Sequence, residues 1–217
     1  MSRSRVLRAA ALLYFCCGIA PRLVCASAQA RPAVQQLFRE LQSGPTCNQA
    51  ESELRELGSA DSNARHFLAL HLPALIEADP TPTQQERDRG EPVKPAWRDA
   101  VRLAGELKIV EAVPALAKWI TISTSPAVSL GIGEEALVDS PAGQALVQIG
   151  DPSVPILQTK LSLGDQRERY HAAYVLNAID SRNADKALSK YVADGRDRHL
   201  AELIRNVLEN KSSNSAR

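Results

Sequence analysis

Aromatic residues and cysteines are scarce in this chain of 217 residues, and each shortage excludes a class of structure. Phe, Trp and Tyr make up 4% of the sequence, which favours helices packed through small side chains over a β-sandwich. Three of the four cysteines lie within the first 25 residues, so Cys47 is alone in the rest of the chain. A single cysteine excludes an internal disulfide and a cysteine-rich metal site there.

The first 30 residues have the composition of a secretory signal peptide. Three arginines within the first eight residues precede an apolar run, residues 9–20, which is too short to span a bilayer comfortably. The small residues Ala28 and Ala30 predict cleavage after Ala30, with Ala28 as the second choice. An uncleaved anchor is the alternative. We therefore expect an exported bacterial protein, periplasmic or extracellular, with no stable membrane span after cleavage.

The charge balance does not favour nucleic acid as a partner. Residues 1–30 hold four of the 26 basic residues and none of the 25 acidic ones, so the formal charge falls from +1 to −3 without them. Binding to phosphates needs an excess of Lys and Arg. Residues 31–141 carry 16 acidic and 11 basic groups, and residues 142–217 carry 9 and 11. This bias could promote self-association, or it is simply an uneven solvated surface.

A pair of short helices is predicted within residues 140–161. Ser140 can cap the first helix, and Pro141 suits its first position. Gly150 ends that helix, and the Asp-Pro that follows repeats the same start signal. Apolar residues recur at helical spacing in both segments: Ala142, Ala145, Leu146 and Ile149 in the first, and Val154, Leu157 and Leu161 in the second.

The corner between these two helices recurs elsewhere in the chain. Residues 107–116 and 179–188 repeat its apolar skeleton, and Ile149 and Ile179 are 30 residues apart. One helical pair of this size cannot bury its own apolar face and needs similar neighbours. Repeated pairs with a period of this length are typical of a helical solenoid.

The corner sequence at residues 149–157, Ile-Gly-Asp-Pro-Ser-Val-Pro-Ile-Leu, resembles that of HEAT-like repeats of the phycobilisome-lyase type. Those repeats typically read Leu-Gly-Asp-Pro, a few residues, then Val-Pro-Ala-Leu. Residues 111–116 match the second half, whereas Lys108-Ile109-Val110 replaces Gly-Asp-Pro. The resemblance covers Ala96 to Asn210, with a weaker match from Cys47 to Ile76. It implies an all-α fold, an α-solenoid of antiparallel helical pairs, and says little about function because such repeats serve scaffolds, adaptors and a few enzymes.

The predicted organisation is a leader of residues 1–30, a solenoid over residues 31–210 and a polar, frayed tail over residues 211–217. Two long loops interrupt the solenoid. The first, about 79–95, is rich in proline and polar residues, and the second, about 121–139, is rich in Ser, Thr and Gly. Long loops of repeat proteins often carry the binding function.

Other helix ends are predicted from single residues. Asp61 or Ser62 would cap one helix, and Asp165 with Glu168 offers a capping box for another. Gly58 is predicted to end the helix that contains the apolar residues after Cys47.

No residue set specifies a catalytic, cofactor or metal site. Residues 131–136, Gly-Ile-Gly-Glu-Glu-Ala, match a loose dinucleotide pattern but lack the preceding strand and place two glutamates where a pyrophosphate would lie. His66 and His71 are about 140° apart around a helix, so they do not face one metal ion. His171 is interpreted as a packing residue, and His199 has no metal-binding partner in the pattern.

The remaining reactive groups also have structural interpretations. Cys47 falls on an apolar stripe, which favours a small buried residue over a nucleophile. The carboxylate pairs Glu51-Glu53 and Glu134-Glu135 are interpreted as solvated charges. Trp97 and Trp119 are expected to pack in the core or at its rim. The alternative for Trp119, close to the second loop, is an exposed anchor for a partner.

These patterns favour an exported interaction or scaffold module that binds a protein partner, through its concave face or its long loops, without a cofactor. Two alternatives stay open. One is an enzyme or a lyase of the same repeat family, which would need a polar pocket with a perturbed acid, base or thiol. The other is a structural subunit of an assembly, which would self-associate.

Overall fold

The computed structural model describes residues 20–43, 47–124, 140–195 and 197–215. Within these ranges the chain forms α-helices, turns and short 3-10 segments, and no strand, so the predicted all-α class is confirmed. The helices are α1 (Ala20–Ser43), α2 (Cys47–Ala60), α3 (Ser62–Glu77), α4 (Gln84–Asp88), α5 (Pro95–Glu106), α6 (Val113–Lys118), α7 (Pro141–Ile149), α8 (Val154–Leu163), α9 (Gln166–Ile179), α10 (Arg182–Asp194) and α11 (Arg198–Ser215).

Most of the helices lie in two rows. In the first row α2 contacts α5, α5 contacts α7, α7 contacts α9 and α9 contacts α11. In the second row α3 contacts α6, α6 contacts α8 and α8 contacts α10. α1 packs against α2, α3 and α5 at the beginning of both rows. The buried leucines of both rows form one core, which includes Leu54, Leu68, Leu103, Leu116, Leu146, Leu157, Leu176 and Leu188.

The helix starts that were predicted at Ser140, Asp61 and Asp165 are confirmed. Ser140 Oγ accepts a hydrogen bond from Gly143 N at 3.1 Å and donates one to Ile120 O at 2.9 Å. Asp165 and Glu168 form the capping box of α9, and Asp61 caps α3. These signals act within one turn of helix, so the sequence alone defines them.

The three predicted corners each have a positive φ angle at the equivalent position, although the backbone conformations differ, since Asp180 is left-handed and Gly150 has a ψ of −139°. Lys108, Gly150 and Asp180 have φ angles of 51°, 82° and 48°. Glycine adopts a positive φ without steric cost, whereas Lys and Asp do so at a cost that the surrounding contacts must offset. The last two corners are also joined directly, since Asp151 accepts hydrogen bonds from Ser181 Oγ and, at 2.8 Å, from Asn183 Nδ2.

One predicted boundary in the first half is wrong, and one predicted loop contains a short helix. Gly58 does not end α2, which continues to Ala60, because Leu107 and Leu68 pack over the glycine and hold it within the helix. The segment predicted as a loop at 79–95 contains α4, because Thr83 and Glu86 form a capping box that starts a short helix. A hydrogen bond of 2.9 Å from Lys94 N to Pro80 O closes this segment.

The C-terminal boundary also differs from the prediction. α11 continues beyond residue 210 to Ser215, so residues 211–215 are helical rather than a frayed tail. Lys211 Nζ donates to Asn177 O at 3.0 Å and pairs with Asp180 at 2.8 Å, which ties this end of α11 to the corner after α9. At the other terminus, the predicted cleavage position at Ala30 falls inside α1. Most of the predicted loop at 121–139 lies outside the described residues.

Candidate functional site

A pocket of about 320 Å³ opens between α1 and the first half of α3, and we call it the α1–α3 pocket. It is lined by Val34, Gln35, Asp61, Asn63, Ala64, His66, Phe67, Leu70 and His71. Pockets for whole small-molecule ligands usually range from about 300 to 1,000 Å³. The volume of the α1–α3 pocket is at the lower end of this range, which suits one large amino-acid side chain.

The exposed part of the apolar wall comes from residues of α3 that lie outside the stripe which this helix buries. α3 buries one stripe at every fourth position, formed by Ala64, Leu68, Leu72 and Ile76. Phe67 and Leu70 fall outside this stripe: Phe67 is half-buried, and Leu70 is 62% exposed. Adjacent apolar side chains that stay in contact with water are typical of a binding surface.

Three rings hold this wall in a fixed geometry. Phe67 lies edge-on to Phe38, with ring centroids 5.7 Å apart and an interplanar angle of 85°. The imidazole of His71 lies 4.2 Å from the Phe67 ring. Because Phe38 is buried in the core, it fixes the position of the two outer rings. The pocket is therefore formed before anything binds to it.

Among the described side chains that line the pocket, one is a carboxylate and none is Lys or Arg. Asp61 Oδ1 accepts a hydrogen bond from Asn63 N at 2.9 Å, as the cap of α3. Arg65, which is close in sequence, directs its guanidinium to Leu107 O at 2.5 Å. Asp61 is therefore the carboxylate that a cationic group would meet at this pocket.

Both histidines that the sequence analysis separated line this pocket. His66 and His71 are exposed and belong to its wall, although they point in different directions from α3. Among the described residues, no three His, Cys, Asp or Glu side chains form a group that could hold a metal ion. The two imidazoles are thus available as hydrogen-bonding groups of the pocket wall.

A second polar feature, the charged cluster, joins α2 to α5 and consists of Glu51, Arg55, Asp99, Arg102 and Glu106. Arg102 holds Glu51 through two nitrogens, with Nε 2.7 Å from Oε1, and its Nη2 lies 3.1 Å from Asp99 Oδ1. Arg55 bonds Glu51 at 2.5 Å and also Glu106. The hydrogen bond with Glu51 raises the pKa of Arg102 above its ordinary value.

The interpretation of Glu51 as a solvated charge is wrong, because α5 covers it. Glu51 is 2% exposed and Asp99 is 0% exposed, whereas Glu53 is exposed as expected. Asp99 Oδ2 is buried and has no hydrogen-bond partner among the described residues. Since guanidinium groups occupy both oxygens of Glu51, we assign the charged cluster to the packing of α2 on α5 rather than to acid–base chemistry.

The packing role expected of both tryptophans is confirmed. Trp97 is buried and its Nε1 donates to Ile76 O at 2.9 Å. Trp119 is partly buried against the core, and Lys118 Nζ lies 4.9 Å from its ring centroid. The lysine and the core together cover much of Trp119, so it is not the exposed anchor considered from the sequence.

The other candidates from the sequence either lie outside the described residues or are not among the described lining of the pocket. Residues 131–136, and with them Glu134 and Glu135, lie outside the described residues. Cys47 begins α2, but the structure does not describe its side chain. His171 is half-buried on α9, where burial lowers its pKa, and His199 is exposed on α11. The sequence analysis missed the pocket, although Phe67 and Leu70 lie off the apolar stripe of α3 and could have indicated it.

Tyr174 on α9 makes the stability of the protein depend on alkaline pH. Burial, with a further effect of Tyr170, raises the pKa of Tyr174 from 10.0 to about 12. Well below pH 10 the Tyr174 hydroxyl is protonated in both the folded and the unfolded chain, and its contribution to the stability of the fold is fully present. As the pH rises towards about 12, the unfolded chain ionises first and this contribution is lost.

We therefore expect the melting temperature of the unmodified protein to fall more steeply from pH 10 to about pH 12 than that of the Tyr174→Phe variant. Melting followed by circular dichroism over this pH range measures both slopes. Two parallel declines would show that the pKa of Tyr174 is the same in the folded and unfolded states.

No family model, curated protein or solved structure matches this chain. None of the helices that the structure describes is both long enough and apolar enough to cross a membrane. The α1–α3 pocket, the two rows of helices and the repeated corners are therefore the features from which a function can be inferred.

Proposed function

We propose that this protein is an exported α-solenoid of HEAT-like helical pairs that binds a protein partner as a scaffold or adaptor. The succession of contacts within each row supports the solenoid, because helices of one row touch their neighbours along the chain. The positive φ angles of Lys108, Gly150 and Asp180 support the equivalence of the three corners. The basic and apolar pattern of residues 1–30 supports export.

The observation that carries the binding proposal is the α1–α3 pocket. It is concave, its rings are fixed by the buried Phe38, and Leu70 at its edge is 62% exposed. A protein interface usually has an apolar centre that is enriched in aromatic residues, and Phe67 with Leu70 beside it offers a surface of this kind. A partner that covers Leu70 and Phe67 would remove this apolar surface from water, which favours association.

Site-specific photo-crosslinking in the native organism tests this proposal. A photoreactive residue is placed at Leu70 or, as the control, at Leu163, which is 76% exposed on α8. The full chain is expressed with its own N-terminal segment, and crosslinked products are identified by mass spectrometry. We expect one dominant protein from position 70, little from position 163, and a mature N-terminus at Arg31.

Other results would contradict parts of this proposal. If only a second copy of the chain is recovered, the protein is a structural subunit of an assembly. If neither position yields any protein, and a general amine crosslinker also yields none, a scaffold or adaptor role is excluded under those conditions. An N-terminus at residue 1 in a cytoplasmic fraction would exclude export.

A further inference from the structure

We propose that the α1–α3 pocket binds one large apolar side chain of an extended partner segment in which the flanking residues are basic. This inference rests on the proposed function, since it describes the chemistry of the partner at the pocket. Three features of the pocket lead to it: the apolar wall, the carboxylate of Asp61 and the amide groups at the rim.

The size and lining of the pocket favour a single apolar side chain. A volume of about 320 Å³ leaves little room for more than one large group. Phe67 and Leu70 supply the accessible apolar surface, because Val34 and Ala64 also line the pocket but are only 1% and 3% exposed. The Phe67 ring can pack against a second aromatic ring. Phenylalanine, leucine and tryptophan side chains match this lining.

The carboxylate of Asp61 favours basic neighbours for that side chain. Asp61 is the one carboxylate among the described side chains that line the pocket, and none of these described side chains is Lys or Arg. The guanidinium of Arg65 is directed to the backbone carbonyl of Leu107 and makes no ion pair with Asp61. A lysine or arginine beside the bound side chain could therefore pair with Asp61.

The rim of the pocket favours an extended backbone. Gln35 on α1 and Asn63 on α3 are exposed, and both belong to the lining. A side-chain amide has donors and an acceptor, so it can bond both the N–H and the C=O of a segment whose backbone groups are free. A helical partner would already have satisfied these groups internally.

Binding of three synthetic peptides to the full purified chain tests the inference. The probes are blocked pentapeptides with the cores Lys-Phe-Lys, Lys-Ala-Lys and Glu-Phe-Glu, each between two glycines. Dissociation constants and the affected residues are read from amide chemical shifts at two salt concentrations. We expect Lys-Phe-Lys to bind tightest, with shifts in α1 and α3, and Lys-Ala-Lys to bind at least about fivefold more weakly.

Two variants test the site itself. Leu70→Ser removes an exposed side chain, so the core is retained, and it should weaken Lys-Phe-Lys binding by about fivefold or more. The matched control is Leu163→Ser, on a leucine of α8 that is more exposed than Leu70, which should leave the binding unchanged. Asp61→Asn keeps a good helix cap but removes the charge, so it should reduce the difference between the Lys-Phe-Lys and Glu-Phe-Glu peptides.

Several results would overturn the inference. For the peptides, these results are equal affinity of Lys-Phe-Lys and Lys-Ala-Lys, tightest binding of Glu-Phe-Glu, or no binding of any peptide up to its solubility limit. For the site, they are chemical-shift changes outside α1 and α3, or an equal loss of affinity in the Leu70→Ser and Leu163→Ser variants. A partner that crosslinks to the chain but binds the Leu70→Ser variant normally would leave the proposed function standing and remove the pocket from it. If no partner is crosslinked but Lys-Phe-Lys binds, the pocket binds such a segment and the proposed function is contradicted.

Discussion

Replacement of Gly105 by alanine is expected to lower the free energy of unfolding by roughly 2 kcal/mol, although alanine is the better helix former by about 1 kcal/mol. A Cβ at Gly105 would lie 2.8 Å from Ala145 Cα and 3.0 Å from Ala145 Cβ. These atoms belong to the backbone and the first side-chain position of α7, so no rotamer change can relieve the contact. α5 and α7 would have to move apart, which disturbs the core on both sides.

Gly58→Ala is the matched control, because Gly58 also lies within a helix but meets different atoms. Its Cβ would lie 2.7 Å from Leu107 Cδ1 and 3.0 Å from Leu68 Cδ1, the flexible ends of two side chains. The gain in helix propensity offsets most of this cost, so we expect a change below about 1 kcal/mol. Urea unfolding of both variants measures the difference. Equal losses would show that α5 and α7 are not packed as closely as described.

Replacement of Arg102 by methionine is expected to cost about 3 kcal/mol. The change leaves Glu51, which is 2% exposed, with Arg55 as its one remaining cationic partner among the described residues. It also removes the 3.1 Å hydrogen bond from Arg102 Nη2 to Asp99 Oδ1. Removing one partner of a buried ion pair typically costs about 3–5 kcal/mol, because the other charge stays buried. Arg102 itself is 45% exposed, so water compensates for part of the loss and the lower end applies.

Two comparisons separate this effect from a general loss of charge. Arg39→Met removes an exposed arginine whose side chain contacts Gln36, and we expect a change within about 0.5 kcal/mol. The double variant Glu51→Gln with Arg102→Met should be less destabilised than the sum of the single variants, since no buried charge at Glu51 remains unpaired. Additive losses in denaturant unfolding would mean that Glu51 and Arg102 do not interact.

The sequence predicts the helical class and the ends that depend on neighbouring residues. Ser140, Asp61 and the pair Asp165–Glu168 cap helices as expected, because each hydrogen bond closes within three residues of the cap. The corners were also found from local pattern. The solenoid arrangement and the resemblance to HEAT-like repeats stay predictions.

The features that were missed depend on residues far apart in the chain. Glu51 is buried because Arg102, 51 residues later, covers it. α11 extends past residue 210 because Lys211 donates a hydrogen bond to Asn177 O and forms an ion pair with Asp180. The α1–α3 pocket requires Val34 to stand beside Phe67, which no periodicity within either helix can show.

The contacts within each row have a consequence for the order in which the protein can fold. Because α2 meets α5, α5 meets α7 and α7 meets α9, most partners of a helix lie within the next few dozen residues. Low sequence separation between contacting residues is associated with fast folding. A chain that is delivered gradually from its N-terminus, by a ribosome or through a pore, can therefore bury each helix soon after it emerges. The N-terminal helices can therefore pack stably before the C-terminus has emerged.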